Sequence, residues 1–362
     1  MIPLIETGGS PRDIGHDIGR GVRDQLVAAV AAIRSGYTAS ELSGLESGLP
    51  SLLAAIDVHA PDCATELRAT AAAAGVRYED LIIGNASEEL EQAAGISADA
   101  DRIGAAPLRP SQPQGCTVLG ITPAGTSDGH VLLGHNEDAT AGWADFAYLI
   151  KAEPAAAPAF VAFTYAGYLL HQGVNAAGIG SVGNALYARD ARPGIPKLFL
   201  YRRALNQLTL EDAIRAATDD NRAFGNNHLF ATQDGDIVNV EVSGSSWAMY
   251  SAGNRFIAHA NHFVSPELRH LDAAEDLLNS RLRQMRVERR IDAAWGSLDV
   301  PSVKAILGDH ANYPKSVCKH HAPESDLDYG TIGAVVIDVT TRTLWACAGN
   351  PCRAEWRAVS LT

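Results

Sequence analysis

The chain has 362 residues, 46% hydrophobic and 20% charged, which excludes a disordered or fibrous protein and leaves room for one large core or two modest domains. Its formal net charge of -13 excludes nucleic-acid binding as the main role, because neutralising phosphates requires a basic face. No stretch reaches the roughly 18 apolar residues of a spanning helix, and the first residues lack a basic n-region and a long apolar h-region, so a cytoplasmic protein without a membrane partner is expected.

Residues 11–96 carry helical periodicity, through Ile14, Ile18, Val22, Leu26, Val27 and Val30, then Leu42, Leu52 and Leu53, then Pro61–Ala74 and Glu79–Ala93, with no convincing strand. After residue 115 the pattern changes to strands between turn signals. Strands are expected at Cys116–Thr122, at His130–Leu133 after a turn at Thr126–Gly129, and at Phe146–Ile150, Phe160–Tyr165 and Gly178–Val182. Glu153–Pro158 reads as a hairpin loop and Asn175–Gly178 as a turn. A helical interlude at about Lys197–Asn221 includes Leu210–Ala217. Closely spaced strands follow at His228–Thr232, Ile237–Val242, Trp247–Tyr250 and Arg255–His259. A long amphipathic helix from about Pro266 to Trp295 precedes a last hairpin, Thr331–Val339 with Arg342–Cys347. Strands, helices and strands in this order imply an α+β protein of antiparallel sheets covered by helices, divided at Cys116 into residues 1–115 and 116–362.

The most informative feature is Gly115-Cys116-Thr117, where a polar, proline-rich stretch at 107–114 meets a β-branched run. Cleavage there would leave Cys116 as a new N-terminus. Its freed α-amine, with a reference pKa of about 7.7–8.0, can take the thiol proton near neutral pH without a histidine. A strand cysteine is otherwise ordinary core filler. Here, however, Gly134-His135-Asn136-Glu137-Asp138 follows, and a two-stranded hairpin would bring Asn136 and Asp138 back beside Cys116. Gly115 has no Cβ, so the peptide bond can adopt the strained geometry in which the Cys116 sulfur reaches the Gly115 carbonyl carbon.

These elements, with the later Ala260-Asn261-His262, resemble the cysteine N-terminal-nucleophile hydrolases of the isopenicillin N acyltransferase branch, relatives of choloylglycine hydrolases and acid ceramidases. The stretch from Gly9 through Pro11, Gly15 and Gly19 is similar to the Gly-x-Pro-x-x-x-Gly-x-x-x-Gly opening of that branch, and Asp309-His310, Pro314–Cys318, His321 and Gly349–Cys352 resemble its C-terminal elements. The resemblance implies a four-layer α-β-β-α sandwich preceded by a helical N-terminal segment, residues 1–115, which becomes the smaller subunit after self-cleavage and stays bound to the catalytic domain, residues 116–362. It further implies a thioester acyl-enzyme on Cys116, Asp138 holding the freed amine, Asn261 as oxyanion donor, Asn184 as a second site asparagine and Thr331 as a small hydroxyl near the nucleophile. The substrate would be a small N-acyl compound, hydrolysed or used for acyl transfer, with Trp143, Phe146, Phe163 and Tyr165 as candidate pocket residues and Arg202 or Arg203 reaching an acidic group. No cofactor is implied. Homo-oligomerisation remains open.

Blander readings stand beside these. Asp138 can be an N-cap or turn aspartate before Ala139–Gly142, Asn136 a turn-closing residue, and Asn184 a left-handed turn asparagine. Arg281, Arg283, Arg286, Arg289 and Arg290 read as a solvated helix with ion pairs. His262 beside Asn261 is not required as a base. The five cysteines lack a disulfide pattern and read as thiols. His310, Cys318, His320 and His321 cluster in sequence, as do His259 and His262, yet no Cys-x-x-Cys pair or His-Glu-x-x-His helix is present, so no metal is expected. The competing functions are a non-catalytic binding protein on the same fold and, less favoured, a zinc hydrolase.

Overall fold

The computed structural model describes residues 2–96, 115–165, 167–169, 172–273, 277–321 and 329–361, so the stretch at 107–114 lies outside the described residues. The chain opens with strand β1 (Leu4–Gly9) and continues through helices α1 (Pro11–Gly21), α2 (Arg23–Ser35), α3 (Ala39–His59), α4 (Pro61–Ala74), α5 (Tyr78–Asn85) and α6 (Ser87–Ala93). Ser10 and Asp13 form a reciprocal capping box that starts α1, with Pro11 in its first turn. A Cβ at Gly15 would stand 2.0 Å from the Glu66 carbonyl oxygen, and one at Gly19 would stand 2.4 Å from that of Thr70. The Gly-x-x-x-Gly spacing is therefore the surface on which α1 and α4 pack backbone to backbone. Val27, included in the apolar periodicity, is 46% exposed and does not belong to the core.

Residues 116–362 contain β2 (Thr117–Ile121), β3 (Leu132–Thr140), β4 (Ala147–Pro154), β5 (Phe160–Tyr165), β6 (Gln172–Asn175) and β7 (Ile179–Ala185). Next come α7 (Lys197–Leu205), α8 (Leu210–Ala217), β8 (Asn226–Thr232), β9 (Ile237–Val242), β10 (Trp247–Ser251) and β11 (Phe256–His259). The chain ends with α9 (Leu278–Ala293), α10 (Val300–Leu307), β12 (Tyr329–Asp338), β13 (Thr343–Ala348) and β14 (Arg357–Ser360). The predicted helix from Pro266 is shorter than expected, a 3-10 turn at Arg269–Leu271 preceding α9, and the helical interlude at Lys197–Asn221 consists of α7 and α8.

One sheet has eight strands in the order β1-β4-β5-β6-β7-β8-β9-β10, and the other has six in the order β11-β2-β3-β12-β13-β14. Every described pair is antiparallel except β1 with β4. The sheets pack on each other through β2, β3, β12 and β13 against β5–β8, while α7 and α8 cover the larger sheet and α9 and α10 the smaller, giving four layers, α-β-β-α. Alternation sorts the side chains: Val118 and Leu133 point into the core between the sheets, whereas Leu119, Ile121 and Leu132 point to the layer under α9 and α10. Strand β1 was not legible in the N-terminal segment. Its parallel pairing with β4 inserts residues 4–9 into the larger sheet, and the buried ion pair of Glu66 on α4 with Arg202 on α7 (2.8 Å) ties the two parts of the chain together a second time.

Candidate active site

Strands β2 and β3 are registered with Thr117 opposite Asn136, so Cys116 stands opposite Glu137. Cys116 is buried, and its thiol donates to Glu137 Oε1 at 3.4 Å. Glu137 Oε2 lies 3.0 Å from His135 Nε2, and Gln172 Nε2 on β6 approaches the same ring nitrogen at 3.1 Å. Burial, followed by the negative charges of Glu137 and Asp138, pushes the Cys116 thiol well above its ordinary value. In this state it becomes a nucleophile only if a neighbour removes its proton, and the Glu137 carboxylate is the acceptor it already touches.

Asp138 points to the other face of β3. Its Oδ1 accepts from Thr331 Oγ1 at 2.6 Å, its Oδ2 lies 3.2 Å from Lys319 Nζ, and the Lys319 backbone N–H donates to Thr331 Oγ1 at 2.9 Å. Gly115 rests on this group: a Cβ there would fall 1.8 Å from Lys319 Nζ and 3.1 Å from Asp138 Oδ2. Burial, helped by repulsion from Arg283, holds Lys319 down to about 8; burial also raises Asp138 above its ordinary value despite the attraction of Lys319. A weakly basic lysine and a carboxyl group thus flank the Gly115 side of the Gly115–Cys116 junction. Gly115→Ala would displace the flexible end of Lys319.

The backbone after Cys116 is held by Arg283 from α9. This buried guanidinium donates from Nη1 to the Cys116 carbonyl and to Thr117 Oγ1, both at 2.6 Å, and from Nη2 to Asn261 Oδ1 at 2.9 Å. Asn279 Oδ1 receives its Nε at 3.0 Å. By occupying the Asn261 oxygen, Arg283 fixes which end of that amide serves as donor; one Nδ2 hydrogen goes to the Ala185 carbonyl at 3.0 Å and the second is left for another acceptor. Strand β11 pairs with β2 with His259 opposite Val118, which brings Asn261, two residues on, to the Cys116 end of β2.

Asn184 is a residue of β7, not a turn asparagine. Its Nδ2 donates to the Ala260 carbonyl at 2.6 Å, and its Oδ1 meets Asn227 Nδ2 at 3.1 Å and His259 Nδ1 at 3.2 Å. It positions the Ala260–Asn261 turn through a buried polar network. Asp138 and Asn136 likewise lie inside β3, which excludes the N-cap and turn readings; Asn136 Nδ2 binds the Leu307 and Val317 carbonyls and anchors the strand under α10. His262 bonds Ser280 at 2.7 Å, and burial lowers its pKa to about 4, so it is neutral.

Trp143, Tyr165, Tyr168, Glu88 and Lys197 line a cavity of about 30 Å3 that reaches Glu137. Phe146 packs edge-on against Trp143 at 5.5 Å without lining it, and Phe163 packs edge-on against Tyr165 at 4.9 Å. Arg203 ion-pairs with Asp219 at 2.9 Å and lines a different cleft with Arg202, Glu66 and Pro154. The structure therefore brings Gly115, Cys116, Asp138, Thr331 and Asn261 together, with Asn184 behind them, Trp143 beside them and Arg203 elsewhere.

Glu137, Lys319 and Arg283 were missed by reasoning on the sequence. Arg283 did carry a signal, since Arg283, Val287 and Ile291 recur at helical spacing and form the buried stripe of α9, contrary to the solvated-helix reading. Glu137 follows from strand alternation once Asn136 is known to face the helices. Lys319 lies in a loop and carried no pattern.

The family model described as acyl-coenzyme A:6-aminopenicillanic acid acyl-transferase matches residues 125–353. That span holds Glu137, Asp138, Asn184, Asn261, Arg283, Lys319 and Thr331 but begins after Cys116. The chain is 24% identical over 353 residues, 95% of its length and 91% of the relative's, to the 40 kDa form of acyl-coenzyme A:6-aminopenicillanic-acid-acyltransferase from Emericella nidulans. Among solved structures it is similar to penicillin V acylase from Agrobacterium tumefaciens (13% identity, TM-score 0.47, 68% of this chain and 86% of that one) and to a mutant conjugated bile acid hydrolase from Clostridium perfringens (13%, 0.43, 68% and 97%).

Proposed function

The chain belongs to the acyl-coenzyme A:6-aminopenicillanic acid acyl-transferase family and works in acyl transfer or amide hydrolysis; we propose that its nucleophile is Cys116, uncovered by self-cleavage of the Gly115–Cys116 bond. The observation that carries this reading is the junction itself, with the Cys116 thiol on Glu137 and Gly115 packed against Asp138 and Lys319. In the intact chain Glu137 takes the thiol proton and the sulfur attacks the Gly115 carbonyl carbon. A C–S bond forms and the C–N bond breaks as the leaving nitrogen gains a proton, which frees the Cys116 amine; water then hydrolyses the thioester, releasing the Gly115 carboxylate and the Cys116 thiol. Lys319 beside Gly115 offers positive charge to the tetrahedral oxyanion.

In the mature protein the α-amine replaces Glu137 as base, its reference pKa being about 7.7–8.0. Asp138 holds this amine, and Asn261, oriented by Arg283, donates to the substrate oxyanion. The acyl group of a small N-acyl substrate passes to sulfur and then to water, or to an amine if the site excludes water. Hydrolysis is the favoured outcome, with no cofactor. The pairing of β1 with β4 and the Glu66–Arg202 ion pair keep the two chains associated.

Two results test this reading. Glu137→Gln leaves the fold but lacks the carboxylate, and self-cleavage is expected to slow by about 10²–10⁴-fold while an already processed sample is affected less. Rapidly quenched reactions with a panel of N-acyl amides should show the acyl mass on the chain that begins at Cys116. If no adduct forms and ligands bind unchanged, the binding-protein reading replaces this one.

A further inference from the structure

Away from Cys116, four metal-ligating side chains from two loops converge: His310, Cys318 and His320 between α10 and β12, and Cys352 after β13. Their ligand atoms all lie within 4.8 Å of one another. His320 Nε2 stands 3.1 Å from His310 Nε2, 3.5 Å from Cys318 Sγ and 3.4 Å from Cys352 Sγ. Around a tetrahedral zinc ion with nitrogen at about 2.0–2.1 Å and sulfur at about 2.3 Å, neighbouring donors are about 3.3 Å apart for two nitrogens and about 3.6 Å for nitrogen and sulfur. The three separations from His320 Nε2 fit such a tetrahedron. Hydrogen bonding does not account for them, because one imidazole nitrogen carries either one proton or one lone pair and so serves one of its three neighbours.

We propose that His310, Cys318, His320 and Cys352 form a structural zinc site. Four protein ligands close the coordination sphere, so the ion has no open position for substrate and takes no part in the acyl chemistry. Binding releases the two thiol protons as the sulfurs become thiolates. The surroundings suit that charge: Asn350 Nδ2 donates to Cys318 Sγ at 3.6 Å and to the Lys319 carbonyl at 2.6 Å, and Arg353 Nη2 holds the Asn350 oxygen at 3.1 Å. The ion would clamp the loop before β12 to the loop after β13. Cys318 and His320 flank Lys319, so the same clamp fixes the backbone that presents Lys319 to Asp138 and Gly115. In this proposal the fold, rather than a Cys-x-x-Cys or His-Glu-x-x-His spacing, assembles the ligands.

The test is the metal content of the full chain, purified under a thiol reductant without chelator or immobilised metal. Elemental mass spectrometry should find about one zinc per chain, and protein stripped by chelator should bind Co2+ with the intense visible bands of a tetrahedral site and a thiolate charge-transfer band. His310→Ala and Cys352→Ser should each lower retained zinc at least several-fold, and Cys352→Ser should weaken the charge-transfer band. Folded, reduced wild type with zinc at buffer level and only a weak six-coordinate Co2+ spectrum would overturn the proposal. So would a Cys318–Cys352 disulfide whose reduction restores no Co2+ binding.

Discussion

Cys116→Ala is expected to remain one uncut chain and to lose turnover by at least about 10⁴-fold, down to the residual rate that binding and oxyanion stabilisation alone supply. The substitution removes a single sulfur atom from a buried site where the thiol donates to Glu137, and Glu137 keeps His135. The stability cost is therefore small, about 1 kcal/mol, and the thermal midpoint should show it. A loss of this size with the fold preserved is a chemical loss. Cys116→Ser separates nucleophilicity from shape: the hydroxyl fills nearly the same space but ionises far less readily, so cleavage slows severely without being structurally blocked. A protein that only binds ligand would treat all three residues alike.

Arg283→Met should produce the largest loss of stability, about 3–5 kcal/mol by urea unfolding, because it removes a buried charge whose partners cannot reach water. The Cys116 carbonyl, Thr117 Oγ1 and Asn261 Oδ1 would all lose their donor at once. Arg283→Lys keeps the charge but not the planar fork, so it should recover part of the stability while leaving Asn261 unoriented and turnover low. Because Arg283 acts on the oxyanion donor through Asn261, the two substitutions should be coupled: Asn261→Ala in the Arg283→Met background should cost little further turnover. Additive losses would mean that Arg283 only supports the fold.

The elements that read well from sequence were those whose apolar period is set locally. Pro61–Ala74, Phe160–Tyr165 and Ile237–Val242 coincide with α4, β5 and β9. Where partners lie far along the chain the reading failed. Leu4–Gly9 has little strand character of its own and becomes β1 because β4 offers it an edge. Gly134–Asp138 is polar, so apolar alternation ended the predicted strand at Leu133, whereas β3 continues to Thr140 with every residue from Leu132 buried. Its polar side chains bond to Val317, Lys319, Thr331 and Gln172, a set that no local pattern brings together. The site divides along the same line. Gly115, Cys116, Asp138 and Asn261 stood out by motif, while Glu137, Lys319 and Arg283 acquire their roles only through the packing of β3, the loop before β12 and α9.

The central claim is that the chain cuts itself to free Cys116, and the denatured intact mass of freshly purified wild type, beside that of Cys116→Ala, tests it most directly. Two chains in the wild type, the first 115 residues and the remaining 247 of 362, with one uncut chain in the variant, are predicted. A single uncut chain in both, in protein that nevertheless turns over an N-acyl substrate, would contradict it, since Cys116 would then have no α-amine to act as its base.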